Sequence, residues 1–178
     1  MANEKRQMKN DLFPPNKTSM IIKSPYPDVT IPETAFTPFV LHRARELGDK
    51  PALIEGPTGR TITYSQLEDQ IARVAASLDK RGFKKGQVFG ILSPNVPEYA
   101  VAFHAIALLG GIVTPINPLY TEHEITHQLN DAGARFLVTV PGCFEKAHEA
   151  SQAAGVEEVF VFGETVGATP FASLLSEE

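Results

Sequence analysis

The stretch "VFGILSPNVPEYAVAFHAIALLGGIVTPI", residues 88–116, decides the fold. It opens and closes with short apolar runs that are typical of buried strands, within residues 87–93 and at residues 112–116. Between them the pattern predicts a helix from about Pro97 to Leu109, which ends where two glycines follow. A strand, a helix and a second strand in this order predict a βαβ crossover between parallel strands.

The same alternation continues toward the C-terminus. We predict a helix over residues 122–132, a strand over 134–140, a helix over 144–154 and a strand over 157–162. The strands are almost continuously apolar, which is expected when helices cover both faces of a sheet. The predicted fold class is therefore α/β, with a parallel βαβ sheet and helices on both faces.

A long amphipathic helix is predicted ahead of this alternation. Apolar residues recur at spacings of three and four between Leu67 and Leu78, and Gly82 lies where such a helix would end. Thr63 and Gln66 have the spacing of a capping box, in which each side chain bonds the backbone of the other residue. The helix is therefore expected to begin at Thr63.

A small β-hairpin and a further helix are predicted before Thr63. The stretches 51–56 and 60–64 flank a Pro-Thr-Gly turn, which is typical of a hairpin. In "FTPFVLHRAREL", Thr37 can cap a helix that has Pro38 at its first position and that Gly48 would end.

The first 35 residues differ from the rest in composition. They are polar and carry five prolines, a spacing that excludes a helix and favours an extended arm. We therefore predict two parts: an extended N-terminal arm over residues 1–35 and a globular part over residues 36–178.

Composition and charge exclude several functional classes. The chain has 178 residues, and 16 basic against 21 acidic side chains give a net charge of -5, so a nucleic acid is not an expected partner. The single cysteine and the charged first residues favour a reducing cytoplasm. The longest apolar segment, residues 99–113, is too short and too interrupted to span a membrane.

One short motif suggests metal chemistry. His123, Glu124 and His127 spell H-E-x-x-H, the zinc signature of a metalloprotease helix. The extended forms of the signature fail, because Asn130 stands where one form needs glycine, and only loose candidates for a third ligand follow. Those candidates are Glu145 and Glu149.

The same letters also fit the start of a surface helix. Thr121 and Glu124 have the spacing of a capping box, with Tyr120 and Ile125 placed to pack across it. His123 and His127 share a face on the side of the helix away from Ile125, so they are expected to point to solvent. We therefore expect surface histidines rather than zinc ligands.

Other candidate sites are weaker. His104 lies within an apolar helix, where a histidine bonded to a neighbour is more common than a catalytic base. Cys143 precedes a helix without a matched base, so a small apolar role is favoured. The sequence has neither G-x-G-x-x-G after a strand nor G-x-x-x-x-G-K-[ST], the two phosphate-binding glycine motifs.

Three stretches together resemble the adenylate-forming enzymes, the superfamily of acyl-CoA synthetases, firefly luciferase and peptide-synthetase adenylation domains. They are "TITYSQLEDQIARVAASL" (61–78), the segment 88–125 that contains the opening stretch, and "EITHQLNDAGARFLVT" (124–139). "SPYPDVTIPE" (24–33) and "NPLYT" (117–121) look most like 4-coumarate:CoA ligases and related fatty acyl-CoA ligases.

The resemblance implies an enzyme that uses ATP and Mg²⁺ to convert a carboxylic acid, a hydroxycinnamate or a fatty acid, into an acyl-adenylate and passes the acyl group to CoA. The phosphate loop, acyl pocket and C-terminal lysine of such enzymes have no counterpart in these 178 residues. No catalytic, cofactor-binding or metal-binding residue is therefore assigned. We expect an N-terminal portion of the large AMP-binding domain, inactive alone and without a bound cofactor.

Two alternatives belong to other functional classes. One is a non-catalytic binding or assembly module of the same fold, which would form a homodimer or exchange strands through exposed apolar surface. The remote one is a zinc hydrolase that uses His123, Glu124 and His127.

Overall fold

The computed structural model describes residues 24–176. The chain divides into two units, residues 1–33 and residues 34–178. The described part of the first unit, residues 24–33, contains no helix or strand. Most of the arm predicted for residues 1–35 lies outside the described residues, and the domain division at residue 35 stays a prediction.

Two short helices, α1 (Phe36–Val40) and α2 (Ala44–Leu47), replace the single helix predicted from Thr37. Ala35 takes the N-cap position, and the Thr37 hydroxyl instead donates to the backbone carbonyl of His104 at 3.0 Å. The predicted cap was wrong because a local pattern does not reveal a partner 67 residues away. Gly48 ends α2 with a φ of 54°, as predicted.

The hairpin and the long helix are confirmed. Strands β1 (Pro51–Ile54) and β2 (Thr61–Thr63) pair antiparallel, and α3 (Tyr64–Lys80) follows. The Gln66 N–H donates to Thr63 Oγ1 at 3.2 Å, and the Thr63 N–H donates to Gln66 Oε1 at 3.0 Å. The predicted capping box therefore forms.

The described residues build one parallel sheet with the strand order β4-β3-β5-β6-β7. Its strands are β3 (Val88–Leu92), β4 (Ile112–Ile116), β5 (Ala134–Thr139), β6 (Glu158–Val161) and β7 (Thr169–Pro170). Three helices connect successive strands: α4 (Pro97–Leu108), α5 (Glu122–Ala132) and α6 (Phe144–Ala154). The predicted alternation is confirmed; the two-residue β7, and its pairing with β6, were not predicted.

Each face of the sheet carries its own apolar core. On one face, α3 and α4 pack against a group of buried phenylalanines: Phe83, Phe89, Phe136 and Phe160. On the other face, α5 and α6 pack against aliphatic side chains that include Leu92, Ile116 and Leu137. Helices therefore cover both faces, as the continuous apolar strands predicted.

Two glycines are required where helices approach this sheet. A Cβ on Gly90 in β3 would lie 2.8 Å from Leu137 Cδ1, and one on Gly111 would lie 2.5 Å from Phe83 Cε1. Both distances are below any normal carbon contact. Any larger residue would therefore force the core apart.

Candidate functional site

The parallel strands end at one edge of the sheet, which we call the carboxyl edge and define by residues 93–96, 117–121, 140–141 and 162–163. The helix after β3 covers one face, whereas the helices after β4 and β5 cover the other. The connection that leaves β3 and the connection that leaves β5 therefore run in opposite directions across the sheet. This places a topological switch point between these two neighbouring strands. Open parallel sheets bind ligands outside the strand ends at such a point, so the carboxyl edge is the candidate functional site.

Two buried hydroxyls lie at this switch point. Thr139 is fully buried, and its Oγ1 donates to the carbonyl of Leu92 at 2.9 Å. Ser93 is 6% exposed and donates to the carbonyl of Pro94 at 2.8 Å. Each hydroxyl proton is used by a main-chain oxygen. The Thr139 bond joins the end of β5 to the end of β3, whereas the Ser93 bond is local to the segment that follows β3.

A tightly bonded turn follows β4. Asn117 Oδ1 accepts the N–H of Leu119 at 3.0 Å, and the Asn117 carbonyl accepts the N–H of Tyr120 at 3.0 Å. From α6, Lys146 Nζ donates to the carbonyls of Pro118 at 2.6 Å and Tyr120 at 2.9 Å. The turn is thereby tied to a cation at the carboxyl edge.

An ion pair joins the hairpin to the start of α4. Arg60 contacts Glu98 with both terminal nitrogens, one of them at 2.8 Å from Oε2. The hydrogen bonds from Arg60 lower the pKa of the Glu98 carboxyl. The pair borders a groove of about 320 Å³ whose other walls include Gln70, Phe162 and Phe171.

The H-E-x-x-H residues lie on the surface of α5. His123 and His127 are exposed, as predicted. Glu124 completes the capping box: its Oε2 accepts the N–H and the hydroxyl of Thr121, each at 2.8 Å, and these bonds lower its pKa. Within residues 24–176, no group of three His, Cys, Asp or Glu side chains could hold a metal ion. Glu124 is therefore engaged as a helix cap.

His104 is half-buried and bonded to α1. Its Nδ1 lies 3.2 Å from Thr37 Oγ1, and its ring is stacked on Phe36 with centroids 5.6 Å apart. Burial lowers the pKa of His104. His104 is thus a partly buried histidine bonded to a neighbour, as predicted; that it is not a catalytic base stays a prediction.

Cys143 is a free thiol at the N-cap position of α6. It is half-buried and packs against the aliphatic core that α5 and α6 share. This packing agrees with a small apolar side chain, and the role of Cys143 stays a prediction.

Two contacts at or beside the carboxyl edge, and one between α1 and α4, were missed from the sequence. They are the Arg60 to Glu98 ion pair, the Lys146 contacts with the turn after β4, and the bond from Thr37 to His104. Each joins residues that are 26 or more positions apart. Local spacing carries no signal for such pairs.

A family comparison agrees with this geometry. Residues 40–172 match the model of a family described as AMP-binding enzyme. The chain belongs to the AMP-binding enzyme family. The match spans the segments 61–78 and 88–139 on which the resemblance rested.

Curated members of the AMP-binding family are similar to the chain over most of its length. It is 37% identical over 160 residues to 4-coumarate–CoA ligase 3 of Oryza sativa subsp. japonica, an alignment that covers 89% of this chain and 29% of the relative. It is 38% identical over 131 residues to 4-coumarate–CoA ligase of Pinus taeda, covering 73% of this chain and 24% of the relative. The chain thus spans less than a third of the length of these relatives.

Solved structures of the family share the fold. The anthranilate CoA ligase in complex with anthranoyl-AMP superposes with a TM-score of 0.74 at 24% identity, covering 82% of this chain and 28% of that one. A long-chain-fatty-acid-CoA ligase from Archaeoglobus fulgidus gives 0.75 at 25% identity, covering 86% and 32%. Among the described residues, no helix has both the length and the apolar character needed to cross a membrane.

Proposed function

We propose that the chain forms an N-terminal portion of the AMP-binding domain of an acid:CoA ligase. The observation that carries this proposal is the 37% identity over 160 residues to a curated 4-coumarate–CoA ligase. The substrate we propose is a hydroxycinnamate or a fatty acid. The curated 4-coumarate–CoA ligases support the first, and the long-chain-fatty-acid-CoA ligase from Archaeoglobus fulgidus supports the second.

The proposed reaction has a clear chemical reason. A carboxylate oxygen is a poor leaving group, so a thiol cannot displace it directly. ATP supplies a better one: the carboxylate would displace pyrophosphate from the α-phosphate of ATP to form an acyl-adenylate, and AMP would then be the group that CoA sulfur displaces. The rate of each step, formation of the adenylate and its reaction with CoA, rises when the enzyme binds the transition state of that step more tightly than the ground state.

The described residues do not themselves fit ATP and Mg²⁺. They contain no three-ligand group for a metal, and the side-chain donors of Ser93, Thr139 and Lys146 at the carboxyl edge donate to main-chain oxygens. We therefore derive no catalytic step through the nucleotide on this chain, and propose that residues other than these bind it. The 178 residues alone are expected to be inactive.

The role proposed for this chain is to position the carboxyl edge. Thr139 holds the end of β5 to the end of β3, and Lys146 holds the turn after β4. Arg60 ties the hairpin to the start of α4 beside the same edge. A rigid edge of this kind would support the residues that bind the nucleotide and the acid.

A chimera tests the proposal. Residues 34–176 replace the aligned segment of the rice 4-coumarate–CoA ligase, and formation of the CoA ester of 4-coumarate is measured with the unmodified ligase as the reference. We expect a folded chimera that retains ester formation above background. A chimera that unfolds at the same temperature as the reference but makes no ester would contradict the proposal.

The isolated chain provides a separate test of where the nucleotide chemistry lies. ATP–pyrophosphate exchange is measured on the 178 residues with 4-coumarate and with a long-chain fatty acid. Background exchange is expected with both acids. Exchange above background would overturn our assignment of nucleotide binding to other residues.

A second candidate function, an assembly module, is favoured by one surface. Phe36, Val40 and Leu108 are between 41% and 53% exposed. A groove of about 390 Å³, lined by Thr37, Leu41 and Leu108 among others, lies beside them. Apolar exposure of this kind is typical of interaction sites. Light scattering coupled to size-exclusion chromatography tests the assembly module. A dimer that dissociates in the Phe36→Ser variant would support this function, and a monomer at all concentrations would contradict it.

A further inference from the structure

The parallel sheet in residues 24–176 has two outer strands, β4 and the two-residue β7, and β4 is the longer of them. Its register with β3 fixes the direction of each main-chain group. Ile112 pairs with Val88, and the Ile112 N–H donates to the Gln87 carbonyl at 2.8 Å. Because these groups alternate in direction along a strand, Val113 and Pro115 direct theirs away from β3.

An outer strand normally presents a row of free donors and acceptors to any other extended chain. Two features interrupt that row on β4. Pro115 has no N–H, so one outward donor is missing. Its carbonyl, the matching outward acceptor, accepts Gln128 Nε2 of α5 at 2.9 Å.

Gln128 is well held in this position. The same Nε2 donates to Thr114 Oγ1 at 2.8 Å, so the amide group bridges two neighbouring residues of β4. Gln128 is half-buried, and it lies one position before the buried Leu129 that anchors α5 on the sheet. The amide group therefore stays over the strand edge as long as α5 stays packed.

We propose that Pro115 and Gln128 together protect the outer edge of β4 against strand addition by a second copy of this chain. The sequence of β4 makes the protection necessary. Ile112, Val113 and Ile116 are β-branched residues that favour extended pairing, and Ile112 is 52% exposed. Without Pro115 and the hydrogen bond from Gln128, residues 113–115 would present an unbroken row of outward main-chain donors and acceptors.

The test replaces Gln128 and Pro115, singly and together, in the full 178-residue chain. Gln128→Ala frees the Pro115 carbonyl, Pro115→Val restores an outward N–H, and the double variant does both. Gln152→Ala is the matched control, because Gln152 is an exposed glutamine of α6 whose amide contacts His148 rather than a strand. Self-association is measured by light scattering well below the unfolding temperature of each variant.

We expect each single variant to associate at lower concentration than the parent chain, by about tenfold for each backbone hydrogen bond that becomes available. The double variant should associate most strongly, and Gln152→Ala should behave as the parent chain does. Equal association of the double variant and the parent chain would overturn the proposal.

Hydrogen exchange locates the contact. In the parent chain, the outward N–H of Val113 should exchange faster than the inward N–H groups of Ile112 and Thr114. In the associated double variant, the Val113 N–H should become protected. Association that leaves Val113 unprotected would assign the contact to another surface and contradict the proposal.

Discussion

The interior of the sheet and its carboxyl edge are built on different principles. The interior is held by close packing of apolar side chains. Phenylalanines fill one face of the sheet, and two glycines lie where a larger side chain would clash. The carboxyl edge is closed by hydrogen bonds, in which hydroxyls and an ammonium group hold main-chain oxygens. From this difference we expect the interior to determine stability and, under the proposed function, the edge to determine the geometry that a ligand would meet.

The largest effect is expected in the aromatic core. Phe89→Ala removes a fully buried ring that packs against Phe83, Phe136 and Phe160. We expect a loss of about 3–5 kcal/mol in the free energy of unfolding, measured by denaturant titration. Phe39→Ala, which removes a ring that is 50% exposed, is the control and should cost much less. Equal losses would show that the core is not where stability lies.

Gly111, the residue directly before β4, should give the next largest effect. The added methyl group of Gly111→Ala would meet Phe83 and Ile106 at 2.8 Å or less. We expect a loss of about 1–3 kcal/mol. Gly142→Ala is the control, because a Cβ there would have no atom within 4 Å. A neutral Gly111→Ala would mean that the core can move at this point.

Substitutions in the N-terminal cap of α5 test whether the H-E-x-x-H residues form a helix cap with surface histidines or a zinc site. Thr121→Ala removes the side chain that accepts the Glu124 N–H, at an expected cost of about 1 kcal/mol in unfolding free energy. His127→Ala should stay within about 0.5 kcal/mol, because the ring is exposed. A larger loss for His127→Ala than for Thr121→Ala would contradict the capping interpretation.

The smallest effect concerns pH. Burial lowers the pKa of His104 in the folded chain below the ordinary value of 6.5, so the folded state binds the proton less readily than the unfolded state. The corresponding stability is present above pH 6.5 and is lost as the pH falls through the folded pKa. The midpoint of thermal unfolding should therefore drop between pH 7.5 and 5.5 by more in the parent chain than in His104→Gln.

Two carboxylates do not interfere with that measurement. The pKa values of Glu98 and Glu124 are lowered from 4.5, so their contribution is lost only at more acidic pH. An equal drop in the parent chain and in His104→Gln would show that another group is responsible.

Much of the fold follows from local patterns. The strand and helix alternation after residue 87, both capping boxes and the hairpin rest on spacings within a few residues, and all are confirmed. The bonds from Thr37 to His104 and from Lys146 to the turn after β4 were not predictable. They depend on which helices the fold brings together, which no single segment encodes. The bonds that join separate elements at the carboxyl edge, from Thr139 to Leu92 and from Lys146 to Pro118, are of this long-range kind. The sequence therefore predicted the family of the chain but not these contacts.

The central claim, that the carboxyl edge serves the chemistry while the interior provides the scaffold, is tested most directly by Lys146→Met in the ligase chimera. The substitution keeps an unbranched side chain that is one atom shorter and removes the donor to Pro118 and Tyr120. We predict at least a tenfold loss in kcat/KM for CoA ester formation, with the unfolding midpoint lowered by no more than about 4 °C, as expected for 1 kcal/mol. Unchanged kcat/KM, or a loss matched by general unfolding, would contradict the claim.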